Sequence, residues 1–337
     1  MSDDQNDYVW SGTGEADPEV VRLEQLLRPL GHAGTPPAFL ARPSRQHRLV
    51  AAVRPLLAAA AMLLLAVTVW FGWGVVRGGW AVRSLTGMPL LDGAALDGDG
   101  LLRRGGRLVT DGASRARISV GRLGQVDVDP DTRVQLVSEG GRDHRLSLER
   151  GTIHARISAP PRFFFVDTPS AVAIDMGCAY TLQVDDSGAG LLRVTQGWVQ
   201  FDFNGRTAFI PQGAVGATRP GVGPGTPRYE DAPGGFAQAL NQLDFGRADE
   251  PARGEALALI LANARVRDGL TLWHLLSRGT DAERQRVYDR FLALAPPPPG
   301  VAREAVLAGD QRALTAWWDG LRLEGTTWWD RLKKKRS

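Results

Sequence analysis

Leu148-Glu149-Arg150-Gly151-Thr152-Ile153-His154-Ala155-Arg156-Ile157 reads as the end of one β-strand, a glycine turn, and the start of another. In the second half Ile153, Ala155 and Ile157 alternate with His154 and Arg156. A period of two sends successive side chains to opposite faces of a strand, so one face is apolar and the other polar. A similar passage follows downstream. Val194-Thr195-Gln196-Gly197-Trp198-Val199-Gln200-Phe201-Asp202-Phe203 lines up with the first, glycine on glycine. Two such copies suggest stacked turns of chain built alike.

The same alternation surrounds both passages. Ala116, Ile118 and Val120 form one run, Val126 and Val128 another, then Val134 and Leu136, then Leu146 and Leu148. Phe163-Phe164-Phe165-Val166, Val172 to Ile174, Tyr180 with Leu182 and Val184, and Leu192 with Val194 continue the series. Gly, Asp and Pro punctuate the runs, as turns require. This pattern predicts an all-β domain over residues 98–218, a sandwich or a solenoid-like stack. Phe165 is expected in its core, where Phe165→Asp should cost about 3 kcal/mol or more.

The blocks also come in a telling order. Gly105-Gly106-Arg107-Leu108-Val109-Thr110-Asp111-Gly112-Ala113-Ser114-Arg115-Ala116-Arg117-Ile118 is followed by Asp129-Pro130-Asp131-Thr132-Arg133-Val134 and Leu148-Glu149-Arg150-Gly151. Then come Phe165-Val166-Asp167-Thr168-Pro169, Met176-Gly177-Cys178-Ala179-Tyr180-Thr181-Leu182 and Val194-Thr195-Gln196-Gly197-Trp198-Val199. Over residues 105–215 this resembles the FecR family of bacterial envelope regulators, of the iron-dicitrate sensor type. Cys178 stands where that family usually has threonine, and Tyr180 where it has phenylalanine. The resemblance implies a FecR-type β domain outside the cytoplasmic membrane and anti-sigma-factor-like control of a cytoplasmic sigma factor. The matching residues are turn chemistry and core: Thr168-Pro169 favours an extended residue before proline, and Gly177 permits a backbone angle closed to side chains.

Downstream, residues 219–235 are rich in Gly and Pro and read as a linker. Residues 236–330 turn helical. Ala256, Leu257, Ile260, Leu261 and Ala264 recur at helical spacing, as do Leu272, Trp273, Leu275 and Leu276, then Val287, Phe291 and Leu294. Short helices over 301–307 and 311–321 complete a small all-α domain, a bundle or a HEAT-like stack. Residues 331–337 form a basic tail. Trp328 and Trp329 with Lys333, Lys334 and Lys335 are expected to touch the membrane or another anionic envelope polymer.

Upstream, Leu56 to Val76 carries no charge. About 20 helical residues at ~1.5 Å each span a ~30 Å hydrocarbon core, so residues 55–77 read as a single transmembrane helix, with Trp70, Trp73 and Trp80 in an interfacial belt. Arg42, Arg45, Arg48 and Arg54 precede the span, against Arg77 and Arg83 after it. That asymmetry predicts a single-pass bacterial inner-membrane protein, with the N-terminus in the cytoplasm and the C-terminal domains in the periplasm. Residues 1–16 are polar and expected to be disordered. Residues 17–54 are a cytoplasmic helix and linker. Asp17-Pro18-Glu19 opens the helix well, and Val20, Leu23, Leu27 and Leu30 line one side. A lone helix cannot bury that stripe, so these residues are expected to bind a partner's groove.

Chemistry is harder to find. Lys and Arg number 40 against 37 Asp and Glu, a formal charge of +3, so nothing calls for nucleic acid. Cys178 is the single cysteine, which excludes an intrachain disulfide and a cysteine-built zinc site. His32, His47, His144, His154 and His274 show no ligand spacing. His154 is expected to be solvated, His274 to be a helix-surface or packing residue, and Cys178 a core residue. Asp127, Asp129 and Asp131 suit turn chemistry better than a calcium site. The expectation is a protein that is no enzyme and holds no metal or cofactor. Two functions remain open: relay of an envelope signal to a cytoplasmic sigma factor or other regulator, and a structural or ligand-binding envelope scaffold without a transcriptional partner.

Overall fold

The computed structural model describes residues 16–30, 62, 78–246, 249–321 and 323, in two compact units that part between Phe71 and Gly72. In the smaller unit α1 (Pro18–Leu27) runs into a 3-10 turn, Arg28–Leu30. The larger unit begins with strands. They are β1 (Trp80–Thr86), β2 (Leu90–Leu91), β3 (Ala94–Ala95), β4 (Asp99–Leu102), β5 (Arg107–Val109), β6 (Arg115–Val120), β7 (Gly124–Val128), β8 (Arg133–Gly140) and β9 (Asp143–Ile157). After them come β10 (Phe164–Asp167), β11 (Val172–Asp175), β12 (Ala179–Val184), β13 (Gly190–Gln196), β14 (Trp198–Phe203), β15 (Arg206–Pro211), β16 (Ala214–Arg219), β17 (Gly223–Pro224) and β18 (Arg228–Tyr229).

The strands make one curled network with two faces. The first face runs β4-β1-β6-β7-β9-β12-β13-β16, with β17 and β18 beside β16. The second runs β3-β2-β5-β8-β9-β10-β11-β14-β15. Every pairing is antiparallel except that of β9 with β10. β9 belongs to both faces. His144 to Leu148 pair with β8, and His144 to Ser147 also pair with β10 in the second face. Gly151 to Arg156 pair with β12 in the first, where Ile153 to Ile157 also meet β7.

Gly151 makes the transfer. Its φ is +97°, and a Cβ there would lie 2.2 Å from the Thr132 hydroxyl oxygen, so only glycine fits. Gly197, at φ +73°, passes the chain from β13 in the first face to β14 in the second. The echoed passages are therefore the same crossing made in opposite directions. Contrary to the expectation from sequence, no strand ends at Gly151: β9 continues through it.

The core lies between the faces. Val82, Ile118, Val126, Ala155, Tyr180 and Val194 stand opposite one another in turn across the first face, all buried. Leu136, Leu146, Val166, Ala173, Phe201 and Ala208 do the same across the second. Phe164 and Val166 point inward with no exposed surface. Phe165 corrects the expectation: it faces outward, half-buried, with the Arg145 guanidinium 4.5 Å above its ring.

The β region starts at Trp80, not at residue 98, since β1 lies between β4 and β6. Trp80, expected in a membrane belt, is core, its ring 6.2 Å from Phe164 and 6.3 Å from His144. The expected span at 55–77 lies outside the described residues apart from Met62. Among the described residues no helix is long and apolar enough to cross a membrane.

Six helices follow among the described residues: α2 (Gly234–Phe245), α3 (Glu250–Asn263), α4 (Gly269–Arg278), α5 (Asp281–Leu294), α6 (Arg303–Leu307) and α7 (Gln311–Gly320). Side-chain oxygens of Asp249, Thr280 and Asp310 cap α3, α5 and α7 by accepting free backbone N–H groups. Glu283 returns the favour to Thr280 N–H, completing a capping box. Trp317 stacks on Phe291 at 4.2 Å in the helical core. The stretch read as a linker is no loose tether. It contains β17 and β18, and residues 223–227 are buried.

Candidate functional site

The predicted partner stripe lies on α1. The Asp17 carboxylate accepts from Glu19 N–H at 3.0 Å and Pro18 takes the first turn, so the start is fixed locally. Leu23, Leu27 and Leu30 are 57%, 57% and 79% exposed, and Val20 is half-buried. Leu26, at 69%, widens the apolar side. Such a face costs free energy in water and gains it in an apolar groove. The other predicted contact residues, Trp328, Trp329, Lys333, Lys334 and Lys335, lie outside the described residues.

The outer side of the first face is polar and internally paired. Asp127 meets Arg117 at 2.5 Å and Arg156 at 3.4 Å. Asp129 meets Arg115 at 3.6 Å and the His154 Nε2 at 2.9 Å, while His154 Nδ1 meets the Thr181 hydroxyl at 2.9 Å. Asp131 sits in a turn at φ +56°. The acidic trio thus serves cross-strand pairing and a turn.

A denser polar site joins strands to helices. β15 is an edge strand, and such edges present unpaired backbone groups. Here α4 answers them: His274 Nε2 accepts from Phe209 N–H at 3.1 Å, and Arg278 Nη2 donates to the Thr207 carbonyl. The two side chains are one helical turn apart, so a single helix face matches successive outward groups of the strand. His274 Nδ1 lies 2.8 Å from the Leu270 carbonyl, which places the ring proton there and leaves Nε2 to accept. Burial, helped by the Arg278 charge, lowers the His274 pKa to about 3, so the ring is neutral. His274 is fully buried, a fastener rather than a surface residue.

Aromatic rings pack around this joint. Trp273 and Trp318 are 4.5 Å apart, Phe209 lies 5.7 Å from Trp318, and Trp198 5.8 Å from it. Asp244 of α2 accepts from Thr226 N–H at 2.6 Å, from the Thr226 hydroxyl at 3.0 Å and from Arg206 at 3.3 Å. Burial raises the Asp244 pKa against these bonds and the arginine charges, and burial lowers Arg278 to about 10. Pro224 and Pro227 carbonyls take bonds from Arg206 and from the Thr271 hydroxyl.

One buried group escaped the sequence reading. Asp175, 1% exposed, holds the Cys178 thiol at 2.6 Å where β11 leads into β12. Cys178 is core, as expected, but the acid beside it was not anticipated. An aspartate that ends the apolar run Val172-Ala173-Ile174 fits an exposed turn equally well, so the sequence carried no signal for its burial.

Two crystal structures of a candidate anti-sigma factor from Parabacteroides distasonis ATCC 8503, at 1.65 Å and 2.50 Å, are similar at 14% and 15% identity. The matches cover 40% and 46% of this chain and 64% and 73% of that one, each with a TM-score of 0.32. No curated protein matches the chain. From Gly106 to Gln200, a stretch that holds both sheet crossings, the chain matches the model of the FecR protein family.

Proposed function

We propose that this is a regulatory protein of the bacterial envelope, acting by binding rather than catalysis. A FecR-type β domain outside the inner membrane receives a signal. A helix over residues 55–77 crosses the membrane, and α1 on the cytoplasmic side holds a partner, with a sigma factor the first class to test. The observation that carries the partner role is the exposed leucine stripe on a well-capped helix: Leu23, Leu27 and Leu30 are each more than half exposed. The FecR match at residues 106–200 supports the envelope role. In this reading the basic tail with Trp328 and Trp329 rests on an anionic surface.

The test is pull-down with the full chain against extracytoplasmic-function sigma factors of the same cell. Leu23→Glu with Leu27→Glu should weaken capture at least tenfold. Unchanged capture would remove α1 from the contact. A reporter active only in the periplasm, fused after residue 100, should be active, and silence there would reverse the topology.

A further inference from the structure

The Asp175 carboxyl sits where the chain passes from the second face to the first. Its Oδ1 accepts from Gly177 N–H at 2.6 Å and its Oδ2 from the Cys178 thiol at 2.6 Å. Its cross-strand neighbour on β14 is Val199, which is buried and apolar. Arg162 reaches the residue only by donating its backbone N–H to the Asp175 carbonyl at 2.9 Å, and its own side chain is exposed. Tyr180, on β12, is 3% exposed, and its hydroxyl has no hydrogen-bond partner. Asp175 and Cys178 both act on it electrostatically. Among the described residues the titratable groups coupled to Asp175 are Cys178 and Tyr180, and no cation of theirs contributes to its ionisation.

We propose that Asp175, Cys178 and Tyr180 form a proton-operated switch inside the β domain. With Asp175 protonated the crossing is closed. On ionisation the bonds from Gly177 and Cys178 do not offset the cost of a buried charge, so the carboxylate recruits the idle Tyr180 hydroxyl and the segment around Gly177 opens toward water.

The surroundings give this cluster leverage. A Cβ on Gly197 would lie 2.4 Å from the Gly177 carbonyl oxygen, so the two crossings touch. Met176 N–H donates to the Trp198 carbonyl at 3.2 Å, and the Trp198 ring packs on Trp318 of α7. A shift at Gly177 therefore reaches the joint between strands and helices. Burial raises Asp175 to about 7, while the thiol and the phenol are pushed up and stay protonated donors. An aspartate raised in the folded state favours folding below its ordinary pKa of ~3.9. That advantage is lost as pH climbs through the folded value. The switch thus responds near neutrality. It does not depend on α1 or its partner, so its failure would leave the proposed function untouched.

The experiment uses the full chain, read by hydrogen exchange at β12 amides and by thermal melting between pH 5 and 8.5. Exchange should speed up as pH rises beyond its intrinsic base catalysis, with a midpoint near 7, and Asp175→Asn should remove that excess. Tyr180→Phe should move the midpoint up by about one unit, because the carboxylate loses a donor. An excess that survives in Asp175→Asn, or an unmoved midpoint in Tyr180→Phe, overturns the proposal. Should Asp175→Asn fail to fold, the Tyr180→Phe midpoint decides alone.

Discussion

Replacing Phe164 by Ala should cost about 3–5 kcal/mol, because a fully buried ring leaves a cavity in a packed core. Replacing Phe165 by Ala should cost only about 1 kcal/mol, the loss of a half-buried ring and its contact with Arg145. Urea unfolding of the two variants checks the contrast, and equal losses would contradict the inward face assigned to β10. Three successive phenylalanines show why this was not legible: alternation gives the period, but an unbroken apolar run hides its phase. At Gly151 the phase was readable. Leu146 and Leu148 point inward at even positions, Ile153, Ala155 and Ile157 at odd ones, and the change falls on the glycine. Asp175 was not readable as a buried acid, because its burial comes from β14, far along the chain.

Elements meet where α4 covers the β15 edge. His274 is held neutral, its pKa lowered to about 3 by burial from an ordinary ~6.5. A histidine depressed in the folded state contributes stability above its unfolded pKa, and that stability is lost as pH falls toward the folded value. The joint should therefore weaken from about pH 6.5 downward. His274→Ala should cost about 1–3 kcal/mol at pH 7 by leaving Phe209 N–H unpaired, with any cavity adding to that. Melting curves at pH 7 and pH 4 test this: the variant should lose less between the two than the native chain does. The helices themselves were legible from apolar spacing, as at Val287, Phe291 and Leu294 of α5, but the cap was not: it is Thr280, one residue before the Asp281 that opens the helix. The pairing of His274 and Arg278 with a strand edge was not, since helical spacing does not say which strand lies opposite.

At the scale of the larger unit, the Gly/Pro-rich stretch shows the limit of composition. Residues 223–227 resemble a linker in content, yet they are buried and tied to Arg206, Asp244 and Thr271. Strands and helices should consequently unfold together. A chain cut after residue 235 should bare Trp198 and Phe209, bind a hydrophobic dye and melt lower than one kept to residue 323. Equal melting would show that the helical part is dispensable. The position of β1 has a mechanical meaning as well. It is the first strand after residue 77, and β4 and β6 hold it on both sides. Tension arriving along the chain from its N-terminal side would have to shear two hydrogen-bonded ladders at once instead of peeling off an edge. A pull at that point therefore meets two strand pairings, where an edge strand would offer one.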